Sequence, residues 1–147
     1  MIPVKFPEPQ FRIKKEDQKH FIFDPIRKIW LLLTEEEWVR QNFVNYLVAE
    51  LKYPSAVIAL EKEITLHELK KRFDVLVYNK EHKPWMMVEC KAPEVALNDE
   101  VLQQVLRYNI SVPVTYIVIT NGQTTIGWKK EEGELRLLSV LPEWDKI

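Results

Sequence analysis

An α/β fold with a mixed sheet is predicted, its core ordered α-β-β-β-α-β behind an added N-terminal β-hairpin. Three observations predict it. A helical apolar period follows Thr34, short β-branched runs crowd residues 56–91, and a second helical period precedes the strongly apolar run Val114 to Thr120. The hairpin comes first: Phe11-Arg12-Ile13 and Phe21-Ile22-Phe23 bracket the polar stretch Lys14 to Lys19, and Asp24-Pro25 ends it. A short apolar run, Ile29 to Leu33, leads to the first helix.

Thr34 followed three residues later by Glu37 has the spacing of a capping box, which satisfies the free N–H groups of a first turn. Val39, Phe43, Tyr46 and Leu47 then recur at threes and fours, giving a buried face to a helix that ends near Lys52, before Pro54. Glu36 falls on the inward side of that helix, where a carboxylate is costly unless a cation meets it. Ala56 to Ile64, Phe73 to Tyr78 and Trp85 to Lys91 read as strands, with a brief turn at Leu66 to Leu69 and a polar hairpin loop at Asn79 to Lys83. Asn98 or Asp99 caps a second helix carrying Val101, Leu102, Val105, Leu106 and Tyr108. Asn121-Gly122 and Glu132-Gly133 turn the chain between the closing strands, Val114 to Thr120, Thr124 to Lys129 and Leu135 to Val140.

A length of 147 residues suits one domain, 1–147, divided into a hairpin extension at 1–33 and a core at 34–140. An apolar fraction of 46% with 29% charged residues is that of a globular chain, and no apolar run reaches the ~18 residues of a membrane span. The first ten residues lack the apolar segment of a secretory signal, so the expected location is the cytoplasm. The single cysteine, Cys90, excludes an internal disulfide and a thiolate zinc cage. A net charge of -1 offers no global attraction to a phosphate backbone, which leaves local basic clusters such as Lys70, Lys71 and Arg72 to supply it.

The chemistry concentrates on two strands. Asp74 and Glu89 are carboxylates inside apolar stretches, and strand alternation places Lys91 on the face of Glu89. Two carboxylates in a sheet core beside a lysine indicate either a buried ion-pair network, with Arg72 as a further partner, or a divalent-cation site. Magnesium takes hard oxygen ligands, commonly one or two carboxylates with retained waters, and a main-chain carbonyl can add to them. Lys91 beside such a cation would orient or deprotonate an attacking water, or stabilise charge on a scissile phosphate. Cys90 points to the opposite face of its strand as a small buried side chain. His20, His67 and His82 lie in turns or loops without metal-ligand spacing, and Trp30, Trp38, Trp85, Trp128 and Trp144 read as packing residues.

Asp74, a gap of fourteen residues, and then Glu89-Cys90-Lys91 resembles the signature of the PD-(D/E)XK nucleases. The wording is closer to the N-terminal nuclease domain of type I restriction enzyme R subunits. It is carried by Thr34 to Gln41, Lys71 to Tyr78, Val88 to Pro93, the Gln104-x-x-x-Tyr108 element and Thr120-Asn121-Gly122, across roughly Thr34 to Gly127. The resemblance implies a restriction-endonuclease-like core and a Mg2+-dependent endonuclease acting on DNA, with Mn2+ able to substitute. It implies Asp74 and Glu89 as metal ligands with the Cys90 main-chain carbonyl, Lys91 as the catalytic lysine, and Gln104 and Tyr108 in support. The helical glutamate of the family falls on Glu36, with Glu37 as the neighbouring alternative. Gln103 points about 100° away from Gln104 around the helix. Phe73 stands where the family name has proline, and 147 residues leave no room for the helicase motor of an R subunit. A restriction-system partner subunit and a homodimer are the expected associations. The alternative is a binding or assembly module that keeps the fold without strong catalysis.

Overall fold

Alternating and helical burial periods generate nine strands and two α-helices in the computed structural model, which describes residues 1–144. A six-stranded sheet runs in the order β4 (Ile58–Leu66), β5 (Leu69–Tyr78), β6 (Pro84–Cys90), β7 (Tyr116–Thr120), β8 (Thr125–Glu131), β9 (Glu134–Leu137). All neighbours are antiparallel except β6 and β7, whose parallel pairing requires the crossover that α2 (Asp99–Asn109) supplies. Helix α1 (Glu35–Ala49) precedes β4, so the predicted core order is present in a mixed sheet.

The helices cover opposite faces. Val39, Phe43, Val44 and Leu47 of α1 pack with Val75, Val77, Met86, Val88, Cys90 and Val118, whereas Leu106 of α2 packs with Phe73, Leu76, Met87 and Ile117. Strand β6 is buried on both faces, as a central strand between two helical layers must be, and Glu89 is the half-exposed interruption near its end.

The N-terminal extension differs from a hairpin. Ile29–Leu32 pairs as β3 with β2 (Lys19–Asp24), making a three-stranded antiparallel sheet with β1 (Ile13–Glu16). The charged residues Lys14, Lys15 and Glu16 belong to β1, and the turn shrinks to Asp17 and Gln18, both at positive φ. His20, expected in that turn, therefore sits on β2. A second two-residue turn at His67 and Glu68, again with positive φ, lets β5 begin at Leu69 and not at Phe73. Residues 55–57 form a 3-10 turn ahead of β4.

Helix ends follow from local hydrogen bonding. The Thr34 hydroxyl accepts from the Glu37 amide at 3.0 Å, and the Asn98 side chain accepts from the Val101 amide at 3.0 Å. Helix α1 stops at Ala49, earlier than the apolar period suggested, because Lys52 turns to positive φ while the Tyr53 amide donates back to the Leu47 carbonyl at 2.9 Å. The Asn121-Gly122 turn has a specific cause. Asn121 Oδ1 accepts from the amides of Gln123 and Thr124, and Gly122 adopts φ +88 where an added Cβ would stand 3.2 Å from a Val39 methyl.

Candidate active site

Strands β5 and β6 stay paired only as far as Val75 and Val88, and beyond that point they diverge. Asp74 and Glu89 are the next residue on each strand. Where β5 no longer offers a backbone acceptor, the Cys90 amide donates to Asp74 Oδ2 at 2.8 Å, which fixes the carboxylate in the gap. Lys91 follows, its own amide held by the Thr120 carbonyl at 2.8 Å and its Nζ 3.8 Å from Glu89 Oε2. The Lys91 and Glu89 side chains remain 33% and 26% exposed, so the pair opens to solvent.

A phase slip aims the neighbouring acids. Val75 and Val77 face α1, but Phe73 joins Leu76 on the α2 face, so regular alternation breaks around Asp74. Across the ladder the same break falls at Glu61, between Leu60 on one face and Ile64 on the other. Glu61 has φ +52, a left-handed conformation that a non-glycine residue adopts inside a strand only when its surroundings hold it. Both carboxylates thereby reach Arg40 of α1. Its Nη1 lies 2.5 Å from Glu61 Oε1 and 3.3 Å from Asp74 Oδ1, while Nη2 and Nε bind Glu37 at 2.6 and 3.2 Å.

Arg40 is the buried cation of this region. Burial pulls its pKa down, but the hydrogen bonds it donates to Glu37 and the charges of Glu37, Glu61 and Asp74 outweigh that and leave it raised. Sequence reading missed Arg40 and Glu61. For Arg40 a signal existed, since it lies between Val39 and Phe43 and one turn after Glu36, where the inward carboxylate called for a cation. For Glu61 there was none, because nothing about a glutamate announces a positive φ. The ion-pair network anticipated as one alternative is thus present, but it runs through Arg40. Arg72 joins it at Glu61, 2.8 Å away.

The two helical glutamates separate cleanly. Glu37, and not Glu36, is the buried one; its carboxylate is occupied by Arg40, by Gln41 at 2.8 Å and by Arg27 at 3.7 Å. Glu36 is exposed. Partial burial of its carboxyl, then the charge of Asp74, push its pKa up, and Arg40 and Lys91 pull it down, so it lies within electrostatic reach of Asp74 and Lys91.

Glu89 is the most perturbed acid. Burial first, then the negative charge of Asp74 and a side-chain hydrogen bond with it, push Glu89 up to about 8; Lys91 opposes the shift and Glu36 adds to it. Two acidic oxygen donors this close are repulsive without a proton or a cation between them. This fits a small divalent ion, for which Asp74, Glu89 and the Cys90 carbonyl are hard donors. Among the described residues no group of three His, Cys, Asp or Glu side chains is arranged to hold a metal ion by itself. Cys90 itself is buried as expected, and burial pushes its thiol well up, which removes it as a nucleophile.

Gln104 and Tyr108 both lie on the exposed side of α2. The Tyr108 ring sits 4.6 Å from Lys71 Nζ, and its carbonyl accepts from the same ammonium group. Among the described residues no hydrogen bond or ion pair joins Gln104 or Tyr108 to Asp74, Glu89 or Lys91. Of the basic run, Lys71 is thus engaged by α2 and Arg72 by Glu61, while Lys70 is exposed.

Residues 35–142 match the family described as Type I restriction enzyme R protein N terminus (HSDR_N). The chain belongs to that family. The matched span holds all the candidate residues of this R-protein N-terminal domain, from Glu36 to Tyr108, and leaves the β1–β3 sheet outside it. Among solved structures, a protein of Anabaena variabilis described as a candidate nuclease of DUF820 aligns with a TM-score of 0.49 at 11% identity, covering 90% of this chain and 79% of that one. No curated protein matches the chain. Family membership makes this a nuclease-like domain of restriction-enzyme type. No helix among the described residues is long and apolar enough to cross a membrane.

Proposed function

We propose that this domain is a Mg2+-dependent endonuclease that hydrolyses DNA phosphodiester bonds. The observation that carries the reading is the meeting of Asp74 and Glu89 where β5 and β6 diverge, with Lys91 3.8 Å from Glu89. Asp74, Glu89 and the Cys90 carbonyl would hold the ion, which supplies Lewis-acid stabilisation of the phosphate and a more acidic water. The protein's own residues do the positioning. The Cys90 amide and Arg40 orient Asp74, and the Lys91 ammonium, anchored through its backbone to Thr120, faces the same opening to align water or stabilise the developing charge. Glu36 adds negative charge within reach of Asp74 and Lys91. Gln104 and Tyr108, on the exposed side of α2, are proposed as contacts to the DNA around the cleavage point and not to the ion.

DNA, a restriction-system partner subunit and a second copy of the chain are the proposed associations, and the cytoplasm the proposed location. A second reading, an assembly module without catalysis, is favoured by one contact: Arg40 already engages Asp74 Oδ1 at 3.3 Å. Plasmid nicking with Mg2+, with Mn2+ and with EDTA, run on wild type, Asp74→Asn, Glu89→Gln and Lys91→Ala, separates the two. Metal-dependent nicking lost in all three variants supports the nuclease. Absence of wild-type nicking, or nicking indifferent to the three residues, overturns it.

A further inference from the structure

The β1–β3 sheet has one face on the protein and one toward solvent. Ile22 at its centre is buried, and the row opposite the protein side consists of two cross-strand lines of side chains: Arg12, Phe23 and Trp30, then Lys14, Phe21 and Leu32. Cations and rings are already associated on that face. The Arg12 guanidinium lies 4.7 Å from the Phe23 ring centre and 5.3 Å from that of Trp30, and Lys14 Nζ lies 4.4 Å from Trp30. Phe23 and Trp30 meet edge to face at 5.3 Å. The three rings are only half-buried, and Leu32 is 49% exposed.

Charge on this sheet departs from that of the whole chain. Between Arg12 and Leu32 there are six lysines and arginines and three acidic residues, whereas the full sequence has 21 against 22. One of the three acids, Asp24, is fully buried and already bound to Arg27 at 2.5 Å. Glu16 pairs with Lys14 at 3.3 Å, and among the described residues Arg12, Lys15, Lys19 and Lys28 have no carboxylate within ion-pair distance. A positively charged sheet surface interleaved with half-exposed aromatic rings is complementary to an anion that also carries flat apolar faces. Single-stranded nucleic acid has both, whereas a duplex hides its base faces in the stack.

We propose that the outer face of β1–β3 is a binding platform for single-stranded nucleic acid, with phosphates on Arg12 and Lys14 and bases against Trp30, Phe21 and Leu32. The rings pre-position the two cations above the sheet, so little side-chain freedom remains to be lost on binding. Along the chain the platform adjoins the candidate active site: Leu32 ends β3, Thr34 caps α1, and Glu36, two residues on, feels the charges of Asp74 and Lys91. Binding itself uses none of the acidic residues, so the proposal stands or falls independently of cleavage.

The test is fluorescence anisotropy of labelled twelve-nucleotide oligo(dT), oligo(U) and a matched duplex with the full chain in EDTA, over a salt series. Wild type is expected to bind the single strands more tightly than the duplex, and the DNA and RNA arms identify which sugar is preferred. Arg12→Ala/Lys14→Ala should weaken single-strand binding about tenfold or more and reduce the slope of log K against log salt by about 1 to 2, since each phosphate contact contributes ~0.7. Trp30→Leu should lose single-strand affinity with duplex affinity unchanged, and Lys83→Ala, on the distant β5–β6 turn, should bind as wild type. Thermal melts show whether each variant is folded, and the Arg12/Lys14 pair on the exposed face keeps the test valid if Trp30→Leu is not. Unaltered binding in the folded double variant, no wild-type binding at low salt, or displacement by poly-glutamate at equal charge overturns the proposal, the last by marking a face for an acidic protein.

Discussion

Replacing Glu89 by glutamine removes the acid whose ionisation is most strained by its surroundings. Its folded pKa is about 8 against an ordinary 4.5, raised by burial and by Asp74. Below pH 4.5 the carboxyl is protonated in both folded and unfolded chains, and its contribution is fully present. As pH rises through the window from 4.5 to 8, the folded protein retains a proton that the unfolded chain has released, so stability is lost progressively until the folded carboxyl also ionises. At about 1.4 kcal/mol per pH unit, this caps the loss at about 5 kcal/mol. Glutamine keeps the shape and does not titrate. Urea unfolding in EDTA, followed by tryptophan fluorescence from pH 4 to pH 9, should therefore give wild-type and Glu89→Gln curves that are close at pH 4 and separate by several kcal/mol at pH 9, the variant being the more stable. Adding Mg2+ at pH 8 should recover wild type and leave the variant unchanged, because only the ionised pair attracts the ion. Parallel pH profiles for the two proteins would refute the claim that Asp74 and burial strain Glu89.

Three further outcomes are expected. Arg40→Met should destabilise the fold by about 3 to 5 kcal/mol, measured by the same urea titration, because it removes the cation shared by Glu37, Glu61 and Asp74 and leaves the buried Glu37 only the longer pair with Arg27. Lys91→Ala should change the melting temperature little, since its ion pair at 3.8 Å is open to solvent and contributes about 0 to 1 kcal/mol, while lowering the plasmid nicking rate by about a hundredfold or more. Thr34→Ala should cost about 1 kcal/mol in thermal denaturation through the lost cap on the Glu37 amide, with Glu36 less well fixed.

Local patterns fixed much of this protein in advance. Thr34 and Asn98 cap helices because hydroxyl and amide oxygens satisfy free N–H groups wherever the chain lets them, and the spacing is visible in the residue order. The crossover helix between β6 and β7 was readable from period, and so was the placement of Asp74 and Glu89 on adjoining strands, although β6 ends at Cys90 and Lys91, expected on that strand, follows it. Strand β3 was less legible. Four residues are too short a run to declare a partner, and pairing with β2 is a choice made in three dimensions.

The tertiary structure alone decided how the acids are divided. Glu36 and Glu37 are adjacent and chemically identical, and what assigns Glu37 to the core and leaves Glu36 exposed is Arg40 meeting Glu37, Glu61 and Asp74 together. That meeting depends on the slip in alternation at Glu61, a left-handed residue without glycine's signature, and on β5 and β6 parting after Val75 and Val88. Tyr108 likewise took Lys71 as its neighbour, a partner 37 residues away along the chain. Periodicity encodes which face a residue occupies because the backbone repeats. The ion partner found on that face depends on where distant strands diverge, and short-range order carries no record of that.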